Sequence, residues 1–232
     1  MSWLLRALST SIGQKFVMGI TGLLLCGFLV AHLGGNFFLF VGADAYNDYA
    51  EALHKQEALL KVAEAGLIVL FAVHLYLAFV TTRGNKVARG SRYAMTETKQ
   101  DVHVVPGGSS SWMFVTGSIV LGFVILHLVD FTFQVRPDIE YSTTSEAGDV
   151  VARTPFEKAK TILSNPVSAV VYLIGCIALG VHLAHGFGSA FQSLGLNHPR
   201  YKKIIQTTSV AFGWLIAVGF ISFVAWAFWQ PA

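Results

Sequence analysis

The chain alternates between long uncharged blocks and short polar connections. Phe16 to Val41 holds no charged residue, and neither do Ala65 to Thr82, Trp112 to Val129, Pro166 to Leu196 and Ile204 to Trp229. Apolar runs of about eighteen residues or more read as membrane-spanning helices, because in lipid the backbone must satisfy its own hydrogen-bonding groups. The second helix is expected to begin near Ala58, so that it includes Glu64, and the third to continue past Asp130 to about Val135. None of the blocks shows the polar–apolar alternation of a membrane-barrel strand. The predicted fold is an all-α integral membrane protein, a single membrane domain over residues 1–232, with five transmembrane helices at about 14–41, 58–83, 110–135, 165–194 and 204–229. Asn165-Pro166 is a start signal for the fourth helix. Met1 to Ser11 reads either as a short interfacial helix or as a frayed end. The polar stretch around Ser142 to Asp149 reads as a flexible surface excursion.

Composition excludes the main alternatives. Of 232 residues 54% are hydrophobic and 12% charged, against roughly 25% charged in ordinary soluble domains. Mean hydropathy is +0.59. A disordered chain is poor in apolar residues, so disorder is excluded too. The formal net charge of +3 is small and dispersed, which argues against nucleic acid as a partner. Cys26 and Cys176 both fall inside apolar blocks and form no CxxC or CxxCH motif. The first block is too long for the apolar region of a secretory signal and lacks a small-residue cleavage site.

Loop charge gives an orientation. One side carries Arg6 and Lys15, then Arg83, Lys86, Arg89, Arg92 and Lys99 against Glu97 and Asp101, then Arg200, Lys202 and Lys203. On the other side the acids Asp44, Asp48, Glu51, Glu57, Asp138, Glu140, Glu146, Asp149 and Glu157 outnumber the bases. The amino terminus is expected in the cytoplasm and the carboxyl terminus outside.

Ionisable residues at membrane depth are costly and mark candidate functional sites. Four of the five blocks carry a deep histidine: His32, His74, His127, and His182 with His185 close by. At about 1.5 Å per residue, His32 and His127 lie about 24 and 23 Å from the cytoplasmic face, His74 about 12 Å, and His182 roughly 14–21 Å. The histidines thus sort into an outer and an inner pair. Two imidazole pairs facing across a four-helix core suit two six-coordinate haems, each held by histidines from two helices. Without CxxCH such haems are non-covalent, of b type, and with no open iron position they serve electron transfer. Two pairs supply too few ligands for a closed zinc site, and a proton-conducting histidine chain would want more acids along its path. Gly19, Gly22, Gly27, Gly34, Gly35, Gly117, Gly122, Gly175 and Gly180 flank the histidines. They read either as room for a flat macrocycle or as small-residue helix packing.

Nearly the whole chain resembles the di-haem cytochrome b membrane anchor of bacterial succinate:quinone oxidoreductases, which include succinate dehydrogenases and quinol:fumarate reductases. The segments that carry the resemblance are SIGQKFVMGITGLLLCGFLVAHLGGNFFLF, AYNDYA, VAEAGLIVLFAVHLY, VTGSIVLGFVILHLVDF and, most specific, SNPVSAVVYLIGCIALGVHLAHGFGSAFQSLGLNHPRY. The resemblance implies a four-helix haem-binding core in which His74 and His182 ligate a proximal haem b, and His32 and His127 a distal haem b. It favours His182 over His185 and makes the fifth helix a packing helix. It also implies a bacterial inner-membrane location, with a flavoprotein subunit holding FAD and an iron–sulfur subunit docked on the cytoplasmic face. The basic inner loops suit such docking, although for most of these residues the positive-inside signal is the favoured reading. The expected activity is electron transfer between succinate and a membrane quinone, with menaquinone as the expected quinone.

A quinone site needs hydrogen-bonding or titratable groups near the distal pair. Glu64, on the outer half of the second helix, is expected to be a buried proton-exchanging group or else a partner of Lys61 or a tilted interfacial residue. Asp130, three residues after His127, is a second proton group or a hydrogen-bond partner of a histidine. Asn36 is a candidate to bond a quinone carbonyl or a haem edge, and Trp112 to donate its indole N–H to a propionate. In some relatives that oxidise menaquinol a glutamate precedes the fourth-helix ligand. Here that stretch is Ala178, Leu179, Gly180 and Val181, which favours succinate oxidation over fumarate reduction. The competing readings are a cytochrome b of another respiratory enzyme, such as a hydrogenase or formate dehydrogenase, and a haem-free membrane transporter.

Overall fold

The computed structural model describes residues 3–88, 109–145, 149–196 and 198–230. A short helix α1, Trp3–Ser9, precedes α2, Ser11–Asn36, whose first turn is capped by the Thr10 hydroxyl accepting from the Gly13 N–H. One turn of helix α3, Phe38–Val41, extends it. The chain then turns at Gly42, whose φ of 136° favours a residue without a side chain. Helix α4, Ala43–His54, follows, then the long α5, Glu57–Ala88. Helix α6, Ser109–Leu128, runs into a π-helical turn at Val129–Phe133. Helix α7, Pro155–Ser164, α8, Pro166–Ser193, and α9, Pro199–Trp229, complete the chain. Five of these segments are long and apolar enough to cross a membrane: Ser11–Val41, Glu57–Asn85, Trp112–Phe133, Pro166–Ser193 and Pro199–Trp229. The protein is thus mostly helical, with the architecture of a multi-pass membrane protein.

Two departures from the sequence reading lie on one side of the bundle. Residues 142–144 of the stretch expected to be a flexible excursion instead form one strand of a small hairpin, with β1, Ser142–Thr144, antiparallel to β2, Val150–Ala152, and Thr143 opposite Val151. Inter-strand hydrogen bonds and β-branched residues suffice for it where no long periodic pattern marks a strand. Next to it α7 tucks Ala159, Ile162 and Leu163 into the core, and α4 packs against α7. Most of the connection between the second and third spans, with Arg89, Arg92, Glu97, Lys99 and Asp101, lies outside the described residues.

Helix α8 is the hub, packing against α2, α6, α7 and α9. Its start is set by Asn165, whose side-chain oxygen accepts from the Val167 and Ser168 N–H groups, with Pro166 at the first helical position. Its crossing with α9 depends on missing side chains. A Cβ on Gly213 would lie 2.5 Å from the Gly180 carbonyl oxygen and 2.7 Å from the Ala184 nitrogen. One on Gly180 would lie 2.8 Å from the Ala217 Cβ. Backbone meets backbone there, as small-residue membrane packing allows.

Replacing Gly213 with alanine is therefore expected to destabilise the bundle by about 1–3 kcal/mol, read as a lowered thermal midpoint in detergent. At α7 the Thr154 hydroxyl accepts from the Glu157 N–H while the Glu157 carboxylate accepts from the Thr154 N–H. That N–H, chiefly, holds the Glu157 carboxyl below the usual glutamate range. A depressed carboxyl stabilises the helix fully above its unfolded pKa of about 4.3, and the contribution fades as pH falls through the lower folded value. Hydrogen exchange in residues 155–164 should accelerate in that acid window, and Glu157→Gln should weaken the dependence.

Candidate functional site

Helix α2 packs along both α5 and α8, and α8 packs along α6, whereas α5 and α6 make no extensive contact among the described residues. The order around the bundle is α5, α2, α8, α6, with α9 behind α8. Helices α2 and α6 therefore face each other across one diagonal, and α5 and α8 across the other. The histidines use both diagonals. His32 on α2 meets His127 on α6 with ring centroids 5.8 Å apart and planes at 82°. His74 on α5 and His182 on α8 stand on the two helices of the other diagonal. Helix α2 touches His74 at Thr21, and its own His32 comes eleven residues later. Helix α6 touches His182 at Thr116, and its own His127 also comes eleven residues later. At about 1.5 Å per residue these intervals put the two pairs about 16 Å apart along the bundle.

In three of the four imidazoles the Nδ1 atom meets a hydroxyl. The Thr21 hydroxyl lies 3.1 Å from His74 Nδ1, and that of Thr116 3.3 Å from His182 Nδ1. The Tyr172 hydroxyl stands 3.5 Å from His127 Nδ1. Each hydroxyl commits its proton elsewhere. Thr21 donates to the Met18 carbonyl at 3.0 Å, Thr116 to the Trp112 carbonyl at 3.0 Å, and Tyr172 to Asp130 at 3.1 Å. With that proton on the carbonyl or carboxylate the hydroxyl accepts from the ring, an assignment that puts the ring proton on Nδ1 and the lone pair on Nε2. That is the arrangement a metal-bound histidine requires. His185 differs, since its Nε2 is the atom that meets a hydroxyl, 3.0 Å from Ser189 Oγ on its own helix.

The outer pair sits in aromatic surroundings. Phe28 stacks on His32 at 5.3 Å, Phe220 lies 5.8 Å from the same ring, and Phe123 and Phe131 flank His127 at 6.0 and 5.1 Å. Beyond His127 a polar cluster leads outward. Asp130, 0% exposed, accepts from Tyr172, from Ser168 at 3.4 Å and from Arg136 at 3.1 Å. Arg136 also donates to Ser168 at 2.7 Å, to Asn165 at 3.4 Å and to Asp138. Its bond to Asp138 holds the Asp138 carboxyl below the usual range. The π-helical turn adds a residue to the helix and aims Asp130 inward, while Gln134 closes it with φ 53°.

Several candidate residues fall elsewhere than the sequence reading placed them. Glu64 is exposed, not buried, because α5 is packed extensively only along α2 and α4. It is not the partner of Lys61, which pairs with Glu57 one turn away. Asn36 is committed within the chain, donating to the His32 carbonyl at 2.8 Å and accepting from Tyr46 at 3.2 Å, so that it joins α2 to α4. Asp130 reaches His127 only through Tyr172. Trp112 is exposed in the first turns of α6.

The glycines divide. Gly19, Gly175 and Gly180 seat neighbouring helices or a Phe123 ring, and Gly35 seats Tyr49, so at these positions small residues serve packing. A Cβ on Gly22 or Gly117 would instead lie 3.4 or 3.3 Å from the Cε1 of His74 or His182. At Gly27, Gly34 and Gly122 a Cβ would meet nothing within 4 Å.

Thr21, Thr116, Ser168, Tyr172 and Arg136 were not anticipated, yet a signal for two of them lies in the chain. Residues 18–33 and 113–128 share the pattern M-x-x-T-G-x-x-x-x-G-F-x-x-x-H-L. V-H-L-x-x-x-F recurs at 73–79 and 181–187. In space the repeats coincide: Thr21, Gly22 and the Met18 carbonyl meet His74 as Thr116, Gly117 and the Met113 carbonyl meet His182. Tyr172 and Arg136 belong to no such pattern.

Among the described residues no group of three or more His, Cys, Asp or Glu side chains could hold a metal ion; the imidazoles come in twos. The chain matches no family model, no curated protein and no solved structure.

Arg136→Met should cost about 3–5 kcal/mol by leaving Asp130 buried without its ion pair. Joining it to Asp130→Leu should recover most of the loss in chemical denaturation of the detergent-solubilised chain.

Proposed function

We propose that the chain is the membrane-anchor cytochrome b subunit of a bacterial succinate:quinone oxidoreductase. It holds two b haems and lies in the cytoplasmic membrane with its amino terminus inside. The observation that carries this reading is the placement of imidazoles on both diagonals of one four-helix bundle, at two levels, with a hydroxyl against Nδ1 in three of them. The donor set fits a bis-imidazole haem. The His32 and His127 rings meet with centroids 5.8 Å apart, and two such imidazoles would serve as the ligands of one haem.

His32 and His127 would hold the outer haem, and His74 and His182 the inner one. His182 is preferred to His185 because Ser189 engages the Nε2 of His185. A haem closed on both faces by imidazole supplies one-electron transfer. The partners would be an iron–sulfur subunit and an FAD-bearing flavoprotein subunit on the cytoplasmic face, which carry the dicarboxylate chemistry, and membrane menaquinone. The absence of a carboxylate at 178–181 favours succinate oxidation.

The dithionite-reduced spectrum of haem-supplied membranes should show two b haems per chain. His32→Ala or His127→Ala should remove one of them, and His74→Ala or His182→Ala the other. His185→Ala should remove neither. Absence of an α band, or loss of both haems from a folded single variant, would overturn the reading. Co-purification with a covalent-flavin subunit separates it from a hydrogenase or formate dehydrogenase cytochrome.

A further inference from the structure

Threonines in membrane helices commonly return their hydroxyl to a carbonyl of the preceding turn, and this alone implies nothing. Thr21 and Thr116 do more. Both are nine-tenths buried, at 6% and 7% exposure. In both, the hydroxyl reaches a carbonyl of its own helix and lies within hydrogen-bond distance of the Nδ1 of a histidine on the next helix. Each is followed by a glycine whose missing Cβ lets the helix backbone approach that ring, at Gly22 and Gly117. The same register serves two helices that carry their own histidine eleven residues further on.

We infer that Thr21 and Thr116 are positioning residues for the inner imidazoles, a matched pair of hydroxyl clamps that set ring rotation and tautomer at His74 and His182. The first and third spans therefore serve both levels, with a histidine for the outer pair and a Thr-Gly clamp for the inner. This rests on the haem reading above. An acceptor on Nδ1–H gives the imidazole more anionic character and makes Nε2 a stronger donor, which favours the oxidised metal. Loss of the clamp thus weakens retention of the inner haem and raises its midpoint potential. The outer haem, held by His32 and His127, is unaffected.

The test is a potentiometric titration of the α bands in membranes carrying the full chain with its partner subunits. The inner haem is first identified as the one lost in His74→Ala. Thr21→Val and Thr116→Val should each shift its midpoint upward, leave the outer midpoint in place, and weaken haem retention about ten- to a hundred-fold on titration with haemin. Thr21→Ser and Thr116→Ser should behave as wild type. An unmoved inner midpoint, equal shifts of both haems, or serine variants that behave like valine would overturn the inference, the last by assigning the effect to packing. If wild-type membranes bind no haem, the haem reading falls and this inference with it. If they bind two and the valine variants match wild type, only the inference falls.

Discussion

An imidazole inside a membrane bundle carries two nitrogens that hydrocarbon cannot satisfy, and each polar group left alone there costs several kcal/mol. The arrangement of this protein turns on how that demand is met. At His74, His182 and His127 one nitrogen is answered by a hydroxyl on an adjacent helix, whose own proton is already committed. The bond does two things at once. It lowers the cost of burying the ring, and it leaves the other nitrogen without that partner. Stability and chemistry therefore depend on the same contacts, and a ring rotated to suit one would be lost to the other.

The rest of the bundle divides its labour around those rings. Helix α8 carries the closest packing against α9, through Gly180 and Gly213, and this contact gives the bundle a rigid back. Helices α5 and α6 do not close on each other. A bundle tight on one side and open on the other suits two flat groups stacked within it. On the proposed reading the fifth span contributes by bracing α8, the helix that carries His182.

At the outer side a second constraint operates. Asp130 is a fully buried carboxylate, tolerable only because Arg136, Ser168 and Tyr172 satisfy it. Asp130 sits on the π-helical turn and its partners come from the connection after it and the first turns of α8, so the network ties the end of the third span to the start of the fourth. Tyr172 bridges the network to His127. The orientation of the outer imidazole is thus coupled to an ion pair at the bundle rim, whereas the inner imidazoles meet neutral hydroxyls and backbone carbonyls.

The number of spans, their approximate limits and the sorting of the histidines into two levels were legible in the chain, because uncharged length and rise per residue are one-dimensional quantities. The cap at Asn165-Pro166 was legible for the same reason. The recurrence of T-G eleven and ten residues before His32 and His127 was equally present, but its meaning was not, since a threonine in an apolar run gives no sign of which neighbouring helix it faces. Tertiary structure alone decided that Thr21 meets His74, that Tyr172 lies between His127 and Asp130, and that Arg136 turns inward while Glu64 stays exposed. It also decided which glycines seat helices and which face imidazoles. These outcomes depend on helix order and rotation about each axis, which packing fixes and an apolar run leaves free.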